Sequence, residues 1–271
     1  MQQQRALGRR PPKRAPALRL GDYLTGAIPP HPAAADHFAR VPSWILGGND
    51  RYADCGPVSV ANDRLLVTTY LTGSPQVVSQ ADIFDLYRRS GNPDFDPATH
   101  AGDHGVDMQT MLEALIEGGI AGVRPVAFAA VDHTNLDELR AAIAIFGSLL
   151  LGVNLETAQG SQHTWDHVPS GEWGGHAVMA GRYAESPDRL AVITWAEVMD
   201  TTDAFLAYQL DEAWALIWPE HLGSTEFVAG LSIADLRADW RALTGRDMSA
   251  AVPCSTRIRA ALVNAFRRVF G

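Results

Sequence analysis

Residues 47–62 read GGNDRYADCGPVSVAN. A glycine-rich stretch runs directly into a cysteine. From Cys55 to Leu71 the residues suit a helix, with Asp54 as its N-cap and Pro57 within the first turn. A cysteine at a helix start faces free backbone N–H groups and the positive end of the helix dipole, both of which favour its thiolate. The same N–H groups can receive the oxyanion of a tetrahedral intermediate. A lone cysteine in this setting is more often a small buried residue than a nucleophile. The rest of the chain has to supply a partner before chemistry is implied.

The strongest partner lies in EWGGHAVMAGRY, residues 172–183. Two glycines precede His176, which opens an apolar strand. Glycines beside a histidine let a substrate backbone approach closely. The other eight histidines have no comparable setting, although His163 and His167 lie in the preceding loop and could line a cleft.

Working outward, residues 79–90 and 106–118 read as two further helices, the second ended by Gly118-Gly119. The period then changes. Residues 124–130 form a short strand, 134–146 a capped helix, and 147–155, 176–183 and 189–195 strands. Residues 204–218 read as helix and then strand, and 232–244 as a helix. Helices come first and strands second, which predicts an α+β fold with two packed halves. No internal repeat is visible.

Three segments are expected. Residues 1–40 are rich in Pro, Arg and Ala, and the prolines forbid a long helix. They predict an extended arm, ordered by docking on the body or on a partner. Residues 41–222 form the main domain. Residues 223–271 form a helical tail in which TRIRAALVNAFRRV (256–269) sets Ile258, Leu262, Ala265, Phe266 and Val269 on one face, with Arg257, Arg259, Arg267 and Arg268 elsewhere. The arm and this basic amphipathic helix are the candidate contacts for assembly partners.

The chain has 271 residues, 46% of them hydrophobic, enough for one sizeable core. Its net charge of −9 hides an asymmetry. Six basic residues and no acid fall in 1–20, and four arginines and no acid follow Asp247. All 31 acids therefore lie in 21–247 against 12 basic residues, so the body is near −19. Such a body repels nucleic acid, while the basic ends could hold a polyanion. No aromatic-interleaved basic patch and no phosphate loop is present, so specific nucleic-acid binding is not expected. Lys13 is the only lysine among 22 basic residues. That bias suits a GC-rich genome, an actinobacterium or one of its phages.

The two cysteines make no disulfide framework and no zinc spacing. DFDPATHAGDHGVD (94–107) is dense in acids and histidines but fits no known metal cage. Neither a metal nor a cofactor is expected. No apolar signal core and no 18-residue apolar run occurs, so neither a signal peptide nor a transmembrane segment is expected. The expected location is the cytoplasm when made, or a virion.

Cys55 in the first half and Gly-Gly-His-Ala-Val in the second resemble the papain-like cysteine peptidases, over roughly residues 41–220. Cys55-Gly56 matches the family's nucleophile motif, although Pro57-Val58 stands where an aromatic residue commonly follows. Asn49 lies six residues before Cys55, where the family has a glutamine that donates to the oxyanion. His176 matches the family's His-Ala-Val, and the 121-residue separation is of the family's order. GVDMQTMLEALIEGGI resembles the family's helix ahead of the crossover, and the GND…DC opening resembles phage-type members. The family orients its histidine with the Asn of Asn-Ser-Trp. Here Ile193-Thr194-Trp195 keeps the Trp and puts Ile193 in the Asn place. Thr194 could substitute if the strand slips one residue, against strand alternation. Glu197 or Asp200 could reach back, or the third residue could be lacking.

The resemblance implies an α+β papain-like fold, with a helical half, an antiparallel β half and a cleft between them. It implies a hydrolase of peptide or amide bonds working through an acyl-enzyme, with Cys55 as nucleophile, His176 as base and Asn49 as oxyanion donor. Two alternatives stay open. One is a phage virion or tail protein on the same fold with a weakened site, favoured by the missing Asn and the basic ends. The other is an acyltransferase or transglutaminase. An active enzyme needs Cys55 and His176 within about 4 Å beneath an open cleft. A separation beyond about 7 Å, or a cleft filled by the N-terminal arm, sinks the active-enzyme reading. Cys254, in the tail after Pro253, reads as structural or incidental.

Overall fold

The computed structural model describes residues 5–248. Cys254 and the basic helix expected over 256–269 lie outside them. The elements are β1 (Arg9–Arg10), β2 (Ala34–Asp36), α1 (Cys55–Thr72), α2 (Gln80–Arg89), β3 (Val106–Asp107), α3 (Met108–Gly118), β4 (Ala127–Val131), α4 (Leu136–Phe146) and β5 (Leu149–Glu156). There follow β6 (Thr164–Trp165), β7 (Glu172–Glu185), β8 (Asp188–Thr194), β9 (Glu197–Thr201), α5 (Asp203–Gln209), β10 (Leu210–Ile217), α6 (Thr225–Gly230) and α7 (Ile233–Thr244).

α1 is buried from Cys55 to Thr69 and has no polar face, as a helix enclosed on all sides requires. It stops at Gly73, whose positive φ suits a C-cap. Asp54 holds the N-cap position, but its side chain makes no capping hydrogen bond. The helix expected from 106 begins at Met108, because Val106 and Asp107 pair with β1 and the Asp107 side chain accepts the Thr110 N–H. Asn135 caps α4 by accepting from the N–H groups of Asp137 and Glu138.

The large sheet runs β4-β10-β5-β7-β8-β9-β6, with β2 added against β7. It is antiparallel except for β6 with β9. Strand alternation divides the core between its two faces. Leu150, Ala177, Met179, Ala191, Ile193, Trp214 and Leu216 face α1, α2 and α3. Leu151, Val178, Ala180, Val192, Ala213 and Ala215 face α4 to α7.

α1 is also locked to the sheet by buried polar bonds. Asp63 accepts from Ser148 Oγ at 2.5 Å and from Trp218 Nε1 at 2.6 Å, and burial raises its pKa to about 6. Arg64 beside it forms a bidentate pair with Glu220, both bonds 2.7 Å. The helix start that bears Cys55 is therefore fixed relative to β7.

The N-terminal residues lie along the body. β1 pairs in parallel with β3, Ala130 donates to the Leu18 carbonyl at 2.9 Å, and β2 pairs with the far end of β7. No helix among the described residues is long and apolar enough to cross a membrane.

Candidate active site

Cys55 opens α1 at the edge where the helical layer meets β7. Its Sγ accepts the backbone N–H of Ala177, the residue after His176, at 3.4 Å. The N–H groups of Gly56 and Gly8 also face the sulfur. Gly56 has no room for a side chain: a Cβ would meet Val106 at 2.7 Å and Met111 at 2.8 Å. The loop before Cys55 is pinned by Asp103, which accepts from Ala53 N–H at 3.0 Å and from the Tyr87 hydroxyl at 2.7 Å. The acidic stretch 94–107 thus builds this loop. Among the described residues no group of three His, Cys, Asp or Glu could hold a metal ion.

His176 lies inside the 14-residue β7 rather than at its start. Its Nε2 bonds to Thr194 Oγ1 at 2.8 Å, while Nδ1 has no hydrogen-bond partner. Nδ1 and Sγ make no hydrogen bond to each other. If Nε2–H donates to Thr194, the Nδ1 lone pair is free to take a thiol proton.

Thr194, not Ile193, is the residue beside the imidazole. Ile193 points to the opposite face, into the core under α1. The obstacle foreseen in the sequence, that neighbours on a strand face opposite ways, is removed by the turn after it. Thr194 pairs with Glu197, so β8 and β9 join through Trp195 and Ala196, whose φ values are 49° and 61°. Two left-handed residues form the tight hairpin turn that matches strand twist. Trp195 swings over the histidine and stacks on it with ring centroids 4.6 Å apart. Glu197 and Asp200, the other candidates, bond to Arg5 and Arg182.

Replacing Thr194 by valine keeps the shape and removes the Nε2 partner. With the arm displaced, kcat/KM on a peptide substrate should fall about tenfold, the worth of one hydrogen bond near 1–1.5 kcal/mol. Serine at 194 should restore most of the rate.

Asn49 is buried in the turn ahead of Cys55, and its Oδ1 has no hydrogen-bond partner. Asp54 is fully buried with both carboxylate oxygens unpartnered, and burial pushes its pKa well up. His163 lines an open groove of about 800 Å³ beside Trp195, with Trp173, Glu197 and Arg5. His167 instead stacks on Tyr208.

What lies over the pair is the outcome that the sequence left open. Both Cys55 and His176 have no exposed surface. The arm runs through the cleft above them. Arg5 lies over the Trp195 ring at 4.7 Å and pairs with Glu197. Leu7 packs against Gly174, and Gly8 sits at the sulfur. The Gly8 carbonyl accepts from Val106 N–H at 2.7 Å. Arg9 continues between β3 and the sheet, its side chain wholly buried. A Cβ on Gly8 would collide with the Ala53 carbonyl, so only glycine fits. Gly8 is the single glycine among residues 1–20, the one signal that could have marked this position.

The arm's direction is informative. In any acyl transfer by this pair the leaving amine departs toward His176. The C-terminal part of a substrate therefore lies toward Trp195. The arm places its N-terminal residue, Arg5, there, and so runs against the direction of a cleavable substrate.

Occlusion sets the electrostatics. Burial raises the Cys55 pKa to about 12, against a usual value of 9.0. Burial, with the Arg5 guanidinium adding to it, lowers His176 from 6.5 to about 3. Beneath the arm Cys55 is a neutral thiol and His176 a neutral imidazole.

No family model and no curated protein matches the sequence. Solved structures do. Xylellain, a cysteine protease from Xylella fastidiosa, superposes with a TM-score of 0.64 over 80% of this chain and 98% of its own, at 12% identity. The fold is papain-like. Digestive procathepsin L 3 of Tenebrio molitor gives a TM-score of 0.56 over 80% of this chain and 77% of its own, at 11% identity. The Carica candamarcensis cysteine protease CMS1MS2 gives 0.51 over 69% and 99%, at 17% identity. At these identities the papain-like likeness is one of fold, and activity has to be argued from the site.

Proposed function

We propose that the chain is a latent cysteine peptidase, folded with its own N-terminal arm across the active site. The observation that supports it is the placement of three groups. Cys55 sits at a buried helix N-terminus, His176 has its Nδ1 free, and Thr194 holds the opposite ring nitrogen. A filled cleft was the outcome set against activity, and it does exclude turnover while the arm is seated. The reading is therefore of an enzyme that works only after the arm moves.

With the arm away, His176 Nδ1 takes the Cys55 proton and the thiolate attacks the acyl carbon of a peptide-like substrate. The oxyanion is received by the Cys55 N–H and the Asn49 side-chain amide. His176 returns the proton to the leaving amine, and water, activated by the same imidazole, releases the acyl group.

The alternative, a non-enzymatic virion or tail component with the arm permanently seated, gains no support from the comparisons. The phage-type likeness rests on the GND…DC opening alone. One experiment separates the two. The full chain with its arm displaced by substitution is incubated with denatured protein substrate. Cleavage that disappears with Cys55→Ala and with His176→Ala supports the peptidase. No cleavage, with Cys55 shown by alkylation to be open, overturns it.

A further inference from the structure

The residue that follows Gly8 in the arm enters a site built for a guanidinium. Arg9 Nε donates to Glu212 Oε1 at 2.8 Å, Nη1 donates to Asn154 Oδ1 at 2.8 Å, and Nη2 pairs with Asp211. Glu212 is itself held in place, since its other oxygen accepts from Trp214 Nε1 at 2.7 Å. Its side chain is 8% exposed, whereas that of Asp211 is 37% exposed. Gly152 on β5 leaves the space: a Cβ there would come within 2.7 Å of Arg9 Nε and 2.6 Å of Glu212 Cγ.

These groups belong to the sheet, not to the arm. Asn154 lies on β5, directly beside the histidine strand β7, and the two acids lie on β10, the next strand. When the arm leaves, two carboxylates, an amide oxygen and an empty slot remain in the cleft wall next to Cys55. Two acids against one guanidinium leave the site net negative even when filled, on a body already near −19. A buried carboxylate such as Glu212, deprived of its cation, is costly, so the vacated site favours a new guanidinium over apolar residues. The planar fork, with separate acceptors for Nε, Nη1 and Nη2, also favours arginine over lysine.

We propose that Glu212, Asp211 and Asn154 form a specificity subsite that selects arginine in the substrate. The arm's direction assigns its position. Arg5 marks the leaving-group side, so Arg9 lies on the acyl side, one residue beyond the one at the sulfur. The subsite therefore reads the second residue before the scissile bond. As a specificity site this rests on the peptidase reading above; as an arginine-binding site it does not.

The test uses the full chain carrying Gly8→Leu. If that variant does not melt cooperatively, full-length Arg9→Ala, which empties the subsite directly, replaces it. Two readouts are taken. The first is turnover of fluorogenic dipeptide amides with Arg, Leu or Glu as the second residue before the scissile bond. The second is protection of Cys55 from iodoacetamide by the added peptide Ala-Leu-Gly-Arg-Arg-Pro, compared with the same peptide bearing Leu or Lys in place of its first Arg.

Arginine is expected to be preferred over leucine at least tenfold in both readouts. Glu212→Gln, which keeps an acceptor for Trp214 and removes the charge, should shrink that preference to about threefold or less. Equal protection by the Arg and Leu peptides overturns the proposal, whatever the turnover. So does turnover that favours Leu or Glu. Arginine-selective protection without turnover of any dipeptide upholds the binding site and overturns the peptidase reading.

Discussion

Replacing Gly8 by leucine in the full chain should raise the rate at which iodoacetamide alkylates Cys55 about a thousandfold near pH 7. The thiol is held at about 12 by burial under the arm, against a usual value of 9.0. Three units are three powers of ten in thiolate fraction, and the thiolate is the reacting species. Leucine cannot be seated at residue 8, because even a Cβ overlaps the Ala53 carbonyl. The backbone there has nowhere to retreat: the Gly8 carbonyl is tied to Val106, and Arg9 follows at Gly175. Labelled peptides located by mass spectrometry distinguish Cys55 from Cys254. A cooperative melt shows that the body stays folded, as expected from cores that exclude residue 8. If Cys55 reacts no faster in the variant than in the parent, the arm is not what shields it.

Acid should release the arm without any substitution. His176 has a pKa of about 3 beneath the arm and an ordinary value of 6.5 when hydrated. The open form therefore binds a proton that the closed form refuses. Closure is fully favoured above about 6.5 and weakens tenfold for each unit below it, reaching about a hundredfold near pH 4.5. Glu212 acts in the same direction. Burial raises its pKa, and protonating it removes the anionic partner of Arg9. Alkali has the opposite origin and the same result: above about 9 the open form loses a Cys55 proton that the closed form keeps up to about 12. The arm should thus be most firmly seated between about pH 6.5 and 9. Limited proteolysis at residues 5–12 against pH is the measurement. Cleavage that is flat from pH 7 down to 4.5 would refute the linkage.

Much of the fold was legible because periodicity and caps are local. α1, α2, α4 and the helix-then-strand order at 204–218 follow from apolar spacing, and the end of α3 from Gly118-Gly119. Cys55 and His176 stood out because each combines a reactive residue with glycines that clear space around it. Thr194 was half legible. It was named as a candidate although strand alternation was read against it, and its usefulness depends on Trp195 adopting a positive φ, which no side-chain preference announces. β9 and the two-residue β6 left no apolar alternation to read. Least legible were the contacts made across nearly the whole chain. Arg9 with Glu212, and Arg5 with Glu197, join residues about 200 apart, and nothing in an arginine-rich arm says which arginine meets which acid.

The reversed course of the arm has a kinetic consequence. It cannot be consumed by the site it covers, because the bonds it presents run the wrong way for acyl transfer. Nor can it diffuse off, since it is joined to the body through Leu18 and again through β2. A tethered ligand of this kind acts at an effective concentration on the order of millimolar. On the peptidase reading, free peptides therefore have to outcompete a neighbour that never leaves, and the arm acts as a reversible gate.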